Sequence, residues 1–363
     1  VTSRAQPAEE QAATFQAEDD LEAINRLYQE RQWADGLPII PPTEARVQRM
    51  LAGAGLPRHE VVAWLAPAFG AATTERIAIN AVMAGCQPQA MPVLVAAARA
   101  LADADFNLQA IQATTNPVAI WVIVSGPLSD ALGFNAGWNC LGEGNPANAT
   151  VGRAVRLLLR NVGGALPGQM DRATQGQPAR YTMCCAENEA RSPWATLRAD
   201  YGFAAGDSTV TVVGIEGTMN MNTHSKQVDE LLRVFAETMV HPPSNEYVHG
   251  GEPWLMISPE HADICMRGGF DKAAVQQRLW ELTKMPARHM AERDLYRARA
   301  SRRKELGEIQ DDTLLPIARA AKDIRIMVAG GPGTHSVYIP CFGNSRAATR
   351  RIEMPGEGPA DSR

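Results

Sequence analysis

Apolar residues recur at helical spacing at Leu21, Ile24, Leu27 and Tyr28, which predicts an amphipathic helix over Leu21 to Trp33. Gly36 closes that pattern, and Pro38, Pro41 and Pro42 forbid its continuation. A second short helix is predicted over Thr43 to Leu51. The stretch from Thr73 to Leu101 is the most alanine-rich of the chain, and Gln87 to Pro92 breaks it into two helices. The second, Pro92 to Leu101, is apolar nearly all round and is predicted to be buried. Short apolar runs bounded by turn residues then predict strands at Ala119 to Val124, Tyr181 to Ala186, Thr209 to Ile215, Trp254 to Ile257 and Ile324 to Ala329. Helical patterns lie between them, at Ala149 to Asn161, Val228 to Met239, Pro259 to Met266 and Lys272 to Thr283.

Strands alternating with helices predict an α/β fold, a mixed sheet with flanking helices. Val122-Ile-Val-Ser-Gly-Pro127 and Ile326-Met-Val-Ala-Gly-Gly-Pro332 both read as a buried strand running into a glycine-proline turn, which suggests two lobes from an internal duplication. Four regions follow: a disordered leader over 1–20, a mainly helical region over 21–110, an α/β region over 111–353, and a disordered tail over 354–363 rich in Gly, Pro and acid. The dense charge from Ala291 to Glu308, with Arg297, Arg299, Arg302, Arg303 and Lys304 among Glu305 and Glu308, predicts a solvated helix or an arm on a partner subunit.

Composition narrows the function. The 363 residues carry a formal charge of -5, and the sequence pI is near 5.9, so the basic stripe that neutralises phosphates is missing and neither nucleic acid nor a membrane surface is expected. The longest apolar run, Val118 to Val124, is far short of the roughly 20 residues a spanning helix needs. Val1 to Asp20 is polar and lacks the pattern of a secretory signal, which predicts a cytoplasmic protein. Six scattered cysteines without a C-x-x-C pair predict free thiols rather than a disulfide framework or a structural zinc site.

Candidate chemistry concentrates in two loops. Asn139-Cys-Leu-Gly-Glu-Gly-Asn-Pro-Ala-Asn148 leads into a helix predicted from Ala149, with Arg153 and Arg156 in its first turns. Unpaired amides at a helix start, with arginines nearby, suit a carboxylate or phosphate, and Asn139, Asn145 and Asn148 would help hold it. An ordinary capped helix would carry the same residues. Gly330-Gly-Pro-Gly-Thr-His-Ser336 ends a strand, where Gly331, Gly333 and Thr334 would approach a ligand and His335, beside Ser336, would act as general base. His224, in Met219-Asn-Met-Asn-Thr-His224, has no local structural account, whereas His261 fits the helix start formed by Ser258 and Pro259. Glu187 offers an acid/base or oxygen-ligand group, and a metal site from His224, His335 and Glu187 is conceivable, with metal and cofactor left open. On a strand Cys184 and Cys185 point to opposite faces. Cys140 lies nearest the arginine-rich helix start, where a thiol pKa falls, but its apolar neighbours Trp138 and Leu141 favour a buried structural cysteine.

Four segments resemble a family: Trp33-Ala-Asp-Gly-Leu-Pro38, Gly144-Asn-Pro-Ala-Asn-Ala-Thr-Val-Gly-Arg153, Ala186-Glu-Asn-Glu189 with Ser192-Pro-Trp194, and Ala329-Gly-Gly-Pro-Gly-Thr-His-Ser336. They are similar to bacterial proteins found beside, or fused to, small domains with Cys or selenocysteine in a U-G-S-C motif. This chain contains no Cys-Gly-Ser-Cys, so the resemblance implies a UGSC-type partner that supplies a reactive thiol or selenol, and it lends Cys140 no role. The expected function is an enzyme, or the large subunit of one, binding a small anionic substrate between the two loops. Thiol-assisted cleavage or reduction of a carbon–heteroatom bond would follow, as in a lyase, hydrolase or reductase, with His335 or His224 handling protons. A non-catalytic binding or assembly subunit for the thiol or selenol partner and a metal-dependent hydrolase are the alternatives, and a homo- or hetero-oligomer is expected.

Overall fold

The computed structural model describes residues 12–356, so 1–11 of the predicted leader and 357–363 of the predicted tail lie outside the described residues. Residues 12–20 form no helix or strand, but Phe15 lies against Tyr28 and Trp33, at ring-centroid distances of 6.4 and 5.8 Å. Asp20 caps α1 (Leu21–Glu30) by accepting from the Ala23 amide, and α2 (Glu44–Leu51) follows the prolines. An antiparallel pair, β1 (Val61–Leu65) and β2 (Gly70–Thr73), then interrupts the region read as mainly helical. The short Gly-Ala-Ala-Thr strand carries too little β-branched character to announce itself. α3 (Thr74–Ala84), α4 (Met91–Leu101) and α5 (Leu108–Ala113) complete the N-terminal part, and ten of the eleven residues of α4 are buried, as its all-round apolar pattern requires.

Next come β3 (Ala119–Ser125), α6 (Pro127–Ala131), α7 (Pro146–Asn161), β4 (Cys184–Ala186), α8 (Leu197–Asp200), β5 (Thr209–Ile215) and β6 (Met219–Asn222). The chain continues through α9 (Val228–Met239), α10 (Asn245–His249), β7 (Trp254–Ile257), α11 (Pro259–Arg267), α12 (Lys272–Leu282), β8 (Met285–Pro286), α13 (Glu292–Leu306) and β9 (Leu314–Leu315). It ends with β10 (Arg325–Val328), β11 (His335–Ile339) and β12 (Ala348–Arg351). β8 pairs with β9 in a small ribbon. The α/β class is as the periodicity predicts, but the sheet is two sheets, in the orders β4-β3-β5-β12 and β10-β7-β11-β6.

The period of two along each strand sorts the side chains into layers. Ile120, Val122, Val124, Cys184, Val210 and Val212 join the core formed with α3, α4 and α7. Their neighbours Trp121, Ile123, Cys185, Val213 and Ile215 face Trp254, Met256, Met327 and Ile339 of the other sheet. Leu255, Ile257, Ile326, Val328 and Tyr338 pack with Leu231, Phe235, Ile264 and Leu279 of α9, α11 and α12. The order is therefore helix, sheet, sheet, helix, and strands covered on both faces read as the unbroken apolar runs seen in the sequence.

Both sheets share one scheme. β3 pairs parallel with β4 and antiparallel with β5, and β7 pairs parallel with β10 and antiparallel with β11. The fourth strand of each set crosses over: β6 joins β11, and β12 joins β5. At the crossing Ile215 and Cys341 form an antiparallel bridge, with Glu216 N donating to Pro340 O at 2.8 Å and Phe342 N to Gly214 O at 3.1 Å. By this scheme β3 corresponds to β7 and β4 to β10. The two look-alike sequence segments, on β3 and β10, therefore occupy different places, one central and one at an edge. α13 presents most of its charges to solvent, yet Arg302 is 0% exposed and donates to Tyr247 O and Pro316 O. No helix among the described residues is long and apolar enough to cross a membrane.

Candidate functional site

The carboxyl ends of β3, β4, β7 and β10 lie along one rim of the sandwich, where Asn188 N donates to Val328 O at 2.8 Å and so ties the end of β4 to the end of β10. The two predicted loops meet here, at the junction of two sheets rather than on one. Ala186 N donates to Asn135 O at 3.1 Å, and Gly330 N donates to Ala136 O at 2.8 Å. The indole of Trp138 lies so close over Gly331 that a Cβ there would sit 2.2 Å from a ring carbon. Glycine is required at that position for the approach.

The asparagines of the loop knit it together. Asn145 is the N-cap of α7, accepting from Asn148 N at 2.9 Å, and Pro146 takes the first helical position, so the helix starts three residues before the predicted Ala149. Buried Asn148 donates to Asn135 O and Cys140 O, each at 3.0 Å, and accepts from Asn135 N at 2.9 Å. Asn139, at φ 57°, donates to Glu143. All three amides serve the loop's own shape.

The loop in turn positions Cys140, which is 5% exposed between exposed Asn139 and half-buried Leu141. Its sulfur is hydrogen-bonded by the Cys185 thiol and by main-chain groups at Cys140, Gly330 and Leu141, which together draw its pKa below the ordinary thiol value against the opposing effect of burial. Cys185, the residue of the Cys184–Cys185 pair that faces between the sheets, is 0% exposed, and burial raises its thiol well above the ordinary range. All six cysteines are free and buried.

The histidines gather farther along the rim. His335 and Ser336 open β11 instead of closing a turn, and β11 lies beside β6, with His335 opposite Asn222. His224 Nδ1 and Thr334 Oγ1 are 2.7 Å apart, His335 Nδ1 donates to Asn220 Oδ1 at 3.2 Å, and the two imidazoles stand 6.4 Å apart at 82°. Both rings are exposed, whereas Ser336 is 1% exposed. Ser336 Oγ accepts from Ser258 N at 3.1 Å and lies 2.8 Å from Nδ1 of His261, whose Nε2 lies 3.1 Å from Thr223 O. With Nε2–H donating to that carbonyl, Nδ1 accepts the serine hydroxyl. Ser336 and the wholly buried His261 thus pin α11 to β11, and Ser258 adds a bond to Gly333 O at 2.7 Å. Sequence reasoning accounted for the backbone of His261, whose amide is capped by Ser258, but missed its ring. Its partners lie 75 and 38 residues away, beyond any local signal.

Several predicted site residues are engaged elsewhere. Arg153 forms a two-pronged ion pair with Asp35, at 2.8 and 2.9 Å, and also donates to Leu37 O and Pro38 O. That pair joins two of the segments that carried the family resemblance. Arg156 donates to Asp171 and Gln112, each at 2.9 Å. The two arginines therefore grip different carboxylates of the fold, Asp35 and Asp171. Glu187 is 3% exposed, accepts from Leu197 N at the start of α8 and from Ser125 Oγ, and burial pushes its carboxyl up to about 7. It lies apart from the histidines: no group of three or more His, Cys, Asp or Glu side chains among the described residues is arranged to hold a metal ion. No protein-family model and no curated protein matches the chain.

Proposed function

We propose that the protein is an enzyme, or the larger subunit of one, that uses the thiol of Cys140 on a small electrophilic molecule at the rim where the 135–148 loop meets the Gly330 turn. The observation that carries this reading is the setting of that sulfur: main-chain groups at Cys140, Leu141 and Gly330 converge on it and favour the thiolate in spite of burial. A thiolate is the nucleophilic form, so the same loop geometry that shelters Cys140 also activates it. His224 and His335, exposed on the same rim, are the groups available to move protons. With Arg153 and Arg156 committed to Asp35 and Asp171, the anionic character of the substrate rests only on the amides of the loop.

Alkylation by iodoacetamide across a pH series, with each cysteine followed by peptide mapping, tests the reading. Cys140 should react first among the six, with a midpoint below the ordinary thiol value of about 8.5. Equal protection of all six, or a midpoint above that value, overturns it.

A second reading, docking of a thiol- or selenol-bearing partner, draws on Trp138, which is 71% exposed beside the thiol. In that case Trp138→Ala removes assembly while Cys140 remains reactive.

A further inference from the structure

Cys140 is not alone. Its sulfur contacts that of Cys185, which comes from β4 and sits wholly buried behind it in the layer between the sheets. A second, independent feature marks the same place. Trp121, on β3 and 0% exposed, has an indole N–H with no hydrogen-bond partner, and it neighbours Cys185. A buried N–H without a partner is costly, and a neutral thiol is a weak acceptor that recovers little of that cost. A Cys185 sulfur bearing negative charge would satisfy it.

We infer that Cys140 and Cys185 form a redox-active dithiol, with Cys140 as the attacking and Cys185 as the resolving cysteine, and that its substrates are disulfides of small molecules or of exposed peptide segments. This deepens the proposed function and rests on Cys140 being the reactive thiol.

The Cys140 thiolate attacks one sulfur of the substrate disulfide, the sulfur–sulfur bond breaks, and the first thiolate leaves, joining Cys140 in no further bond. The other half of the substrate remains on Cys140 as a mixed disulfide. Cys185 then gives its proton to the departing thiolate, with the Trp121 N–H steadying the charge that grows on its sulfur, and attacks Cys140. The mixed disulfide breaks, a bond between Cys140 and Cys185 forms, and the second half leaves as a thiolate that takes its proton from solvent. The two cysteines lose two electrons and the substrate disulfide gains them, becoming two thiols. An external thiol reopens the pair by the reverse exchange, which gives the thiol or selenol partner a place in the cycle.

The test exposes the full chain to oxidised glutathione, counts thiols in denaturant, and maps peptides without reduction. Two of the six thiols should disappear in the wild type, with Cys140 linked to Cys185. Cys185→Ser should instead stop at Cys140 carrying one glutathione. A wild type that accumulates the glutathione adduct on Cys140 without closing it overturns the dithiol and leaves Cys140 as a nucleophile. If Cys140 neither takes up glutathione nor reacts with iodoacetamide, both readings fail together. Mapping the wild type decides the matter even if the serine variant does not fold.

Discussion

β4 and β10 hold equivalent places in the two sheets, and their carboxyl ends touch, yet the chain leaves them in opposite ways. After β4 come Glu187, Asn188 and Glu189, and the two carboxylates are consumed by the fold. Glu187 caps α8 at the Leu197 amide, and Glu189 accepts from Gly126 N at 2.7 Å and from both prongs of Arg198. After β10 come Ala329, Gly330 and Gly331, with no side chain to engage, so the backbone itself reaches Ala136 and the Cys140 sulfur under Trp138. Polar side chains at a strand end do not make a site when neighbours satisfy them. Bare backbone at the equivalent end leaves room for one.

The contrast should appear most strongly in pH dependence. Glu187 has its folded pKa raised by burial from 4.5 to about 7, so the folded state holds that proton more tightly than the unfolded chain. Stability should fall as pH rises from about 4.5 to about 7 and level off above, by an amount on the order of 3 kcal/mol for this group. Glu246, fully buried and also near 7, adds the same trend. Glu187→Gln keeps an acceptor for Leu197 N and should flatten the denaturation midpoint over that range by its own share. An unchanged slope would mean that Glu187 is not a closed, buried group.

Arg198→Ala should come next, at about 1–3 kcal/mol in chemical denaturation, because it leaves Glu189 without its two-pronged partner. Gly331→Ala should cost less than about 1 kcal/mol, since the indole it displaces is 71% exposed and free to swing away. Moving Trp138 should nevertheless speed alkylation of Cys140 several-fold. If Gly331→Ala costs as much as Arg198→Ala, the two strand ends are equally packed and the comparison fails.

The strands with two buried faces were legible because their apolar runs are unbroken: Thr209–Ile215 and Trp254–Ile257 are bounded in the structure as the pattern predicts. β6 and β12 were not, because Met-Asn-Met-Asn and Ala-Thr-Arg-Arg carry polar residues that only a crossing strand at a sheet edge explains. The Asn-rich loop was legible as a helix entrance, and its meeting with the glycine turn was anticipated. The fate of Arg153 was not, since Asp35 lies 118 residues away.

Sequence by itself determined which face each strand residue takes, because side-chain direction alternates with a period of two set by the backbone alone. It thereby separated Cys184 from Cys185 and assigned them to different layers. Only the tertiary structure decided which layer each would meet, that β6 and β12 would exchange sheets, and that Cys185 would lie against Cys140, 45 residues earlier in the chain. Those outcomes depend on pairings between distant segments, whose free energy comes from burying surfaces against one another and leaves no periodic mark on either segment taken alone.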